Sequence, residues 1–216
     1  MATVKTIPTG GTGGITYLEP LTGSPDWYWG TDYTDGDLYE AEELWQAGHR
    51  IRQNRVILVR RETGEVFEPV QAKPGQYFGK AGFADGQPLL LLVDFPADEI
   101  RLLRFDAETD TVEPVVILPR SAVKDCYNLM PHLTPLCLTR QTGDTFEIVW
   151  PERVSFPIAP QEGFCFRDGD RLYFEKWFED PDYRTELVVR DLTGAVLEQY
   201  PGTAQQMPDG QLWILR

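Results

Sequence analysis

The chain is short of positive charge, of histidine and of long apolar runs, and each shortage excludes something. Lysine and arginine total 20 against 34 aspartates and glutamates in 216 residues, a formal net charge of −14. A surface of that sign repels nucleic acid phosphates and anionic headgroups, so neither nucleic acid nor a membrane is expected as a partner. The acidic residues are spread along the sequence rather than gathered in a tail, which reads as a solvated surface and not as a cation store. The longest apolar run, 89–93, is too short to span a bilayer, and the opening MATVKTIPTGGTGG has no apolar stretch of signal-peptide length. A cytoplasmic protein is the expectation.

Histidine occurs twice, at His49 and His132, in different stretches of the chain. That argues against a histidine-based metal site and against a Ser-His-Asp triad, so no metal is expected. Cys126, Cys137 and Cys165 are odd in number and show no CxxC spacing, which reads as free buried thiols in a reducing compartment. No cofactor is implied. Gly10-Gly11-Thr12-Gly13-Gly14 has the glycines of a phosphate-binding loop without the following Lys-Ser/Thr, and reads as a turn.

Against these shortages stand two interleaved repeats. The first is Asp-Gly, at Asp35-Gly36, Asp85-Gly86, Asp168-Gly169 and Asp209-Gly210, a hairpin signal when apolar runs flank it. The spacing leaves room for a diverged copy at 128–133, where Met130-Pro131-His132 echoes Met207-Pro208-Asp209. The second is a turn followed by Val or Ile and then proline, as in Gly64-Glu65-Val66 to Pro69, Asp110-Thr111-Val112 to Pro114, Glu152-Arg153-Val154 to Pro157 and Gly194-Ala195-Val196 to Pro201. Gly13-Gly14-Ile15 to Pro20 fits as well. Each repeat therefore reads as strand A, the Asp-Gly turn, strand B, a loop, strand C, the second turn and strand D. Leu38, Ala41, Leu44 and Trp45 also suit one face of a helix, but alignment of Asp35-Gly36-Asp37-Leu38 with the strand at Leu172 favours a strand there.

Strand-only repeats of this length resemble the blades of the β-propeller superfamily, over essentially the whole chain. The resemblance implies an all-β fold: one propeller domain, 1–216, of about five blades of four antiparallel strands. The blades fall at 26–70, 76–118, 127–158, 163–200 and 205–216, the last completed by 2–20 with strands at 3–7 and 15–19. The Gly-His and Trp-Asp marks of WD40 repeats and the di-glycine of kelch repeats are missing, so no functional subfamily is implied. A β-sandwich with six strands per sheet is the structural alternative.

Function on such a scaffold is expected on the long loops between D and A and between B and C. There lie Asp26, Trp27, Trp29, Gln76, Tyr77, Asp125, Tyr127, Asn128 and Gln205, which combine rigid aromatic area with hydrogen-bonding groups. Equally, aromatics that begin an inner strand can pack between sheets. The reading is a monomeric, non-enzymatic binding module for a protein, peptide or small ligand. Its rival is a carboxylate-dependent hydrolase or lyase acting on a carbohydrate-like substrate through Asp26, Asp32 and Asp125. No catalytic residue is assigned, and an outward-facing patch from Trp45, Trp150 and Trp177 would mark an interface.

Overall fold

The computed structural model describes residues 4, 6, 11–32, 36–49, 54–207, 209 and 211–216. The chain divides into two compact units, Met1–Asp125 and Cys126–Arg216. The first unit opens with a sheet of β1 (Glu19–Pro20), β2 (Trp27–Thr31), β3 (Val56–Arg60) and β4 (Val66–Phe67), interrupted by helix α1 (Leu38–Gln46). Its second sheet has β5 (Gln76–Phe78) and β6 (Gly82–Ala84), both paired with β7 (Gln87–Asp94), then β8 (Glu99–Asp106) and β9 (Thr111–Pro119). The second unit has β10 (Met130–Leu133), β11 (Leu136–Gln141), β12 (Thr145–Trp150) and β13 (Val154–Pro157), then β14 (Glu162–Asp168), β15 (Arg171–Phe178), β16 (Arg184–Arg190) and β17 (Val196–Pro201). A hairpin of β18 (Thr203–Gln206) and β19 (Leu212–Leu215) ends it.

The fold is all-β, and its larger sheets are antiparallel meanders in which spatial order follows chain order rather than two sheets of six. Within each unit, successive sheets stack face to face. Leu90, Leu92, Leu103 and Phe105 of the second sheet share a core with Trp27, Trp29, Val56 and Leu58 of the first. Phe146, Ile148 and Phe156 of the third sheet pack on Leu172, Phe174 and Val188 of the fourth, whose opposite face, Tyr173, Leu187 and Val189, meets Ala204 of the last hairpin. The run Leu89, Leu90, Leu91, Leu92 and Val93 does not alternate because both faces of β7 are covered: none of the five is more than 2% exposed. Each such side chain contributes about 1.5 to 3 kcal/mol by leaving water.

The second repeat marker is structurally plain. Strands β4, β13 and β17 begin at Val66, Val154 and Val196, and β9 begins beside Val112. The proline that follows belongs to or borders the outermost strand, where a missing N–H breaks no inner ladder. Asp85 (φ 52°) and Gly86 (φ 83°) form a two-residue turn with Ala84 opposite Gln87, and both positive angles are those of a type I′ hairpin.

Several expectations are corrected. The segment from Leu38 is a helix because Asp37 caps it, its Oδ1 accepting from the Tyr39 and Glu40 N–H groups at 2.9 and 3.1 Å. Gly48 (φ 74°) closes it in a Schellman motif, with Gly48 N–H to Trp45 C=O and His49 N–H to Leu44 C=O. Trp45 accordingly lies in a helix and stacks on Phe95, 5.8 Å between centroids.

The first sheet begins at Glu19 rather than at 26, since Glu19 and Pro20 pair with Trp29 and Tyr28. The stretch 15–19 is therefore not the outermost strand of the last sheet; strand 3–7 falls largely on residues outside the described set, as do Asp35 and Gly210. Among the described residues β19 pairs only with β18. The diverged turn is Thr134-Pro135, not 128–133, whose Met130-Pro131-His132 lie in β10. Between β14 and β15 the turn centres on Gly169-Asp170, because Asp168 pairs with Arg171.

The type I′ geometry generates a stability test. Gly86→Val places a β-branched side chain at positive φ and is expected to cost on the order of 1 to 3 kcal/mol in chemical denaturation, although a Cβ there meets no atom within 4 Å. Gly143→Ala, equally open but without positive φ, is the matched control and should stay within about 0.5 kcal/mol of wild type. Equal losses in both variants would contradict the turn assignment.

Candidate functional site

The nine candidate residues separate into distinct places. Asp26 and Trp27 follow the loop between β1 and β2, so they lie at the end of the first unit where the tight turns gather. There they border a cleft of about 410 Å³ with Arg60, Gly86, Asp106 and Glu108. The Arg60 guanidinium lies 5.3 Å from the Trp27 ring centroid and pairs with Glu108 at 2.9 Å. Trp27 and Trp29 are buried core residues, which is the packing alternative weighed for such aromatics. The shift to the tight-turn end follows from the helix: it takes up the residues assigned to strand B, and β1 and β2 become the first two strands of the sheet.

Gln76 lies at the other end. It opens β5, and with Lys73, Pro74, Asp94, Pro96, Ala97 and Arg101 it lines a cleft of about 350 Å³ between the loop leading into β5 and the turn from β7 to β8. The cleft is built from a closed set of hydrogen bonds. Gln76 Oε1 accepts from the Lys73 N–H at 2.8 Å, and Gln76 Nε2 donates to Asp94 Oδ2 at 2.5 Å. That pairing settles which end of the amide is oxygen, since the backbone N–H requires an acceptor and the carboxylate a donor. Asp94 Oδ1 accepts from Ala97 N–H at 3.1 Å, and Arg101 Nη2 reaches Asp94 at 3.1 Å and Glu99 at 2.6 Å. Asp94 is a charged residue ending a strand buried on both faces, and these donors make its burial tolerable.

Behind the cleft runs an aromatic row: Trp45 on Phe95, and Phe95 edge-on to the buried Tyr77 at 5.5 Å. Gly75 (φ 89°) is required where the row meets the loop, because a Cβ there would lie 2.7 Å from Pro96 and 2.8 Å from Trp45. Asp125 is half-buried and, after the dominant Glu43 and burial, helps hold the Tyr39 phenol above its ordinary value. In the second unit Tyr127 is 43% exposed, Asn128 (φ 47°) donates to the Gln141 C=O at 3.3 Å, and Gln205 sits exposed on β18 opposite Trp213.

Several titratable groups depart from their ordinary values. Burial pushes the thiols of Cys137 and Cys165 up to about 12. His132, partly buried and edge-on to Phe164 at 4.6 Å, is pushed down to about 4 by burial. Asp106 is held below the usual carboxylate range, chiefly by the Glu108 N–H, and Asp191 likewise, chiefly by the Thr193 hydroxyl. Among the described residues no group of three or more His, Cys, Asp or Glu side chains is placed to hold a metal ion, and no helix is long and apolar enough to cross a membrane.

Lys73, Asp94 and Arg101 were not singled out from sequence. The signal that would have found them is Asp94 itself, an acid ending an unbroken apolar run, which must have a cationic or amide partner nearby.

No protein-family model and no characterised protein matches the sequence. Among solved structures, a mutant apocarotenoid oxygenase from Synechocystis aligns with a TM-score of 0.43 and 15% identity over 93% of this chain and 52% of that one. Puromycin hydrolase aligns at 0.44 and 12% over 93% and 33%, and prolyl oligopeptidase B from Galerina marginata at 0.42 and 12% over 91% and 30%. This chain spans about half of the first and a third or less of the other two.

His132 supplies a pH test. Because the folded protein refuses a proton that the unfolded chain accepts from about 6.5 downward, stability conferred by the neutral imidazole is full above 6.5 and declines as the pH falls towards about 4. Wild type should therefore lose stability relative to His132→Phe across that window, in denaturant titrations at matched pH. A difference between the two proteins that does not change with pH would refute the neutral imidazole.

Proposed function

We propose that this protein is a non-enzymatic binding module, holding a protein, peptide or small ligand at the end of the sheets where the loops into the first strand and between the second and third strands lie. The observation that carries this reading is the cleft at Gln76. It is concave, ringed by a few polar groups around prolines, and stiffened by the Gln76–Asp94–Arg101 bonds and the aromatic row behind them. Preformed clefts with few, well-fixed polar groups suit ligand binding because little ordering remains to be done on association.

The carboxylates that the rival hydrolase or lyase would use have separate surroundings. Asp26 borders the tight-turn cleft, Asp32 Oδ1 accepts the Arg55 N–H at 2.7 Å, and Asp125 acts on Tyr39. We further infer that the stacked meanders are blades of a single propeller of about five blades, a reading supported by the consecutive strand order and by face-to-face packing within each unit.

Two measurements test these readings. A single compact domain of 216 residues has a radius of gyration of about 17 Å, so small-angle scattering that returns a clearly larger value would remove the single propeller. For function, thermal-shift screening of wild type against metabolites and short peptides should yield a ligand whose stabilisation is lost in Gln76→Ala without chemical change in that ligand. Turnover of glycoside substrates by wild type would replace the binding module with the hydrolase.

A further inference from the structure

Basic side chains are scarce in this chain, and most arginines with described partners are tied to carboxylates. Arg55 is bound by Glu68, Arg60 by Glu108, Arg104 by Asp85, Arg140 by Glu147, Arg167 by Glu152 and Arg190 by Glu162. Lys73 departs from this pattern. Among the described residues its ammonium has no acceptor, although it lines the Gln76 cleft. Arg101, on the opposite wall, spends Nε on Glu99 and Nη2 on Asp94 and Glu99, which leaves Nη1 without an acceptor among the described residues. Gln76 Nε2 uses one of its two N–H groups on Asp94.

The acceptors of the cleft, by contrast, are occupied. Asp94 receives three donors, and Gln76 Oε1 receives the Lys73 N–H. A site with spare donors on three side chains, and with each of its side-chain acceptors already holding a donor, is suited to a group that only accepts.

We propose that the cleft formed by Lys73, Gln76 and Arg101 binds an oxyanion, the carboxylate or phosphate of a small ligand or peptide. The proposal rests on the binding-module reading and names the chemistry of that module's ligand. Arg101 is oriented by its two carboxylate partners before the ligand arrives, and Gln76 is held by the hydrogen bonds of its side-chain amide. The flexible ammonium of Lys73 supplies the charge that is not neutralised internally. Pro74, Pro96 and Ala97 provide an apolar rim for the carbon skeleton bearing the anion.

The experiment follows backbone amide resonances of the full chain while succinate, inorganic phosphate or succinamide is added. Succinate or phosphate should shift resonances of 73–76 and 94–101 saturably, and succinamide should leave them in place. Shifts with succinate alone assign a carboxylate ligand, and shifts with phosphate alone a phosphate ligand. Lys73→Gln, which removes an exposed side chain without a partner, should fold as wild type and weaken binding about tenfold, the usual consequence of losing one charge-assisted contact.

The oxyanion site is overturned if these resonances do not respond to either anion, if succinamide shifts them equally, or if Lys73→Gln binds like wild type. A ligand whose stabilisation is lost in Gln76→Ala but unchanged in Lys73→Gln would likewise overturn the oxyanion site while leaving the binding module intact. Substrate turnover would overturn the module instead.

Discussion

The constraint on which the structure depends is that the inner strand β7 has no polar face. Leu89 to Val93 cannot be solvated on either side, so a second layer must cover each face of β7, and Leu90 and Leu92 find it in Trp27, Trp29 and Leu58 of the preceding sheet. The fourth sheet repeats the solution, with Phe174 and Val188 facing one neighbour and Tyr173 and Val189 the other. Stacking sheets in series is the arrangement that leaves each inner strand covered while the outer strands remain half-solvated. The prolines at 114, 157 and 201 belong to those outer strands, where they limit further edge pairing.

Two-sided burial also determines where polar chemistry can occur. An ionisable group cannot lie in the middle of such a stack without a partner, so charge is displaced to the strand ends. Asp94 is at the last position of β7, and Glu162 at the first position of β14 is held in bidentate fashion by Arg190 at 2.9 and 3.0 Å. Gln141 is used in the same way as Gln76, its Oε1 accepting from Phe164 N–H at 2.9 Å and its Nε2 donating to the Glu162 C=O at 2.7 Å. In each unit a glutamine amide and an acid–arginine pair fix the geometry where a loop meets a strand. Such pairs add less to net stability than their Coulomb attraction implies, because both ions are desolvated; what they supply is orientation.

The turn and strand grammar was legible in the sequence because it is local. Gly86 and Gly194 adopt the positive φ that their neighbours imply, and Val66, Val154 and Val196 open the strands that follow the second turn. The helix has its own signals in the sequence: an N-cap at Asp37, an acid at Glu40 in the first turn, apolar spacing through Trp45, and Gly48 at its end. The likeness of Asp35-Gly36-Asp37-Leu38-Tyr39 to Asp168-Gly169-Asp170-Arg171-Leu172-Tyr173 points instead to a strand, but it equates a hairpin turn with the approach to a helix cap. The error propagated, since moving one strand of the first sheet carried Asp26 and Trp27 from the expected loop end to the tight-turn end.

Gln76 survived that shift because its position follows from the second sheet alone, where the strands lie as their apolar runs imply. The partners that make it part of a cleft were not legible, because they meet through tertiary pairing: β5 runs beside β7, which brings Gln76 opposite Asp94, and β8 then brings Arg101 alongside. Sequence separation hides such neighbours, yet burial requires them. An acid at the end of a fully buried strand obliges the fold to provide donors, and the donors left over once Asp94 is satisfied are what give the cleft its preference for an anion. The chemistry of this site is thus a by-product of stabilising the strand beneath it, with Lys73 as the addition that stability does not demand.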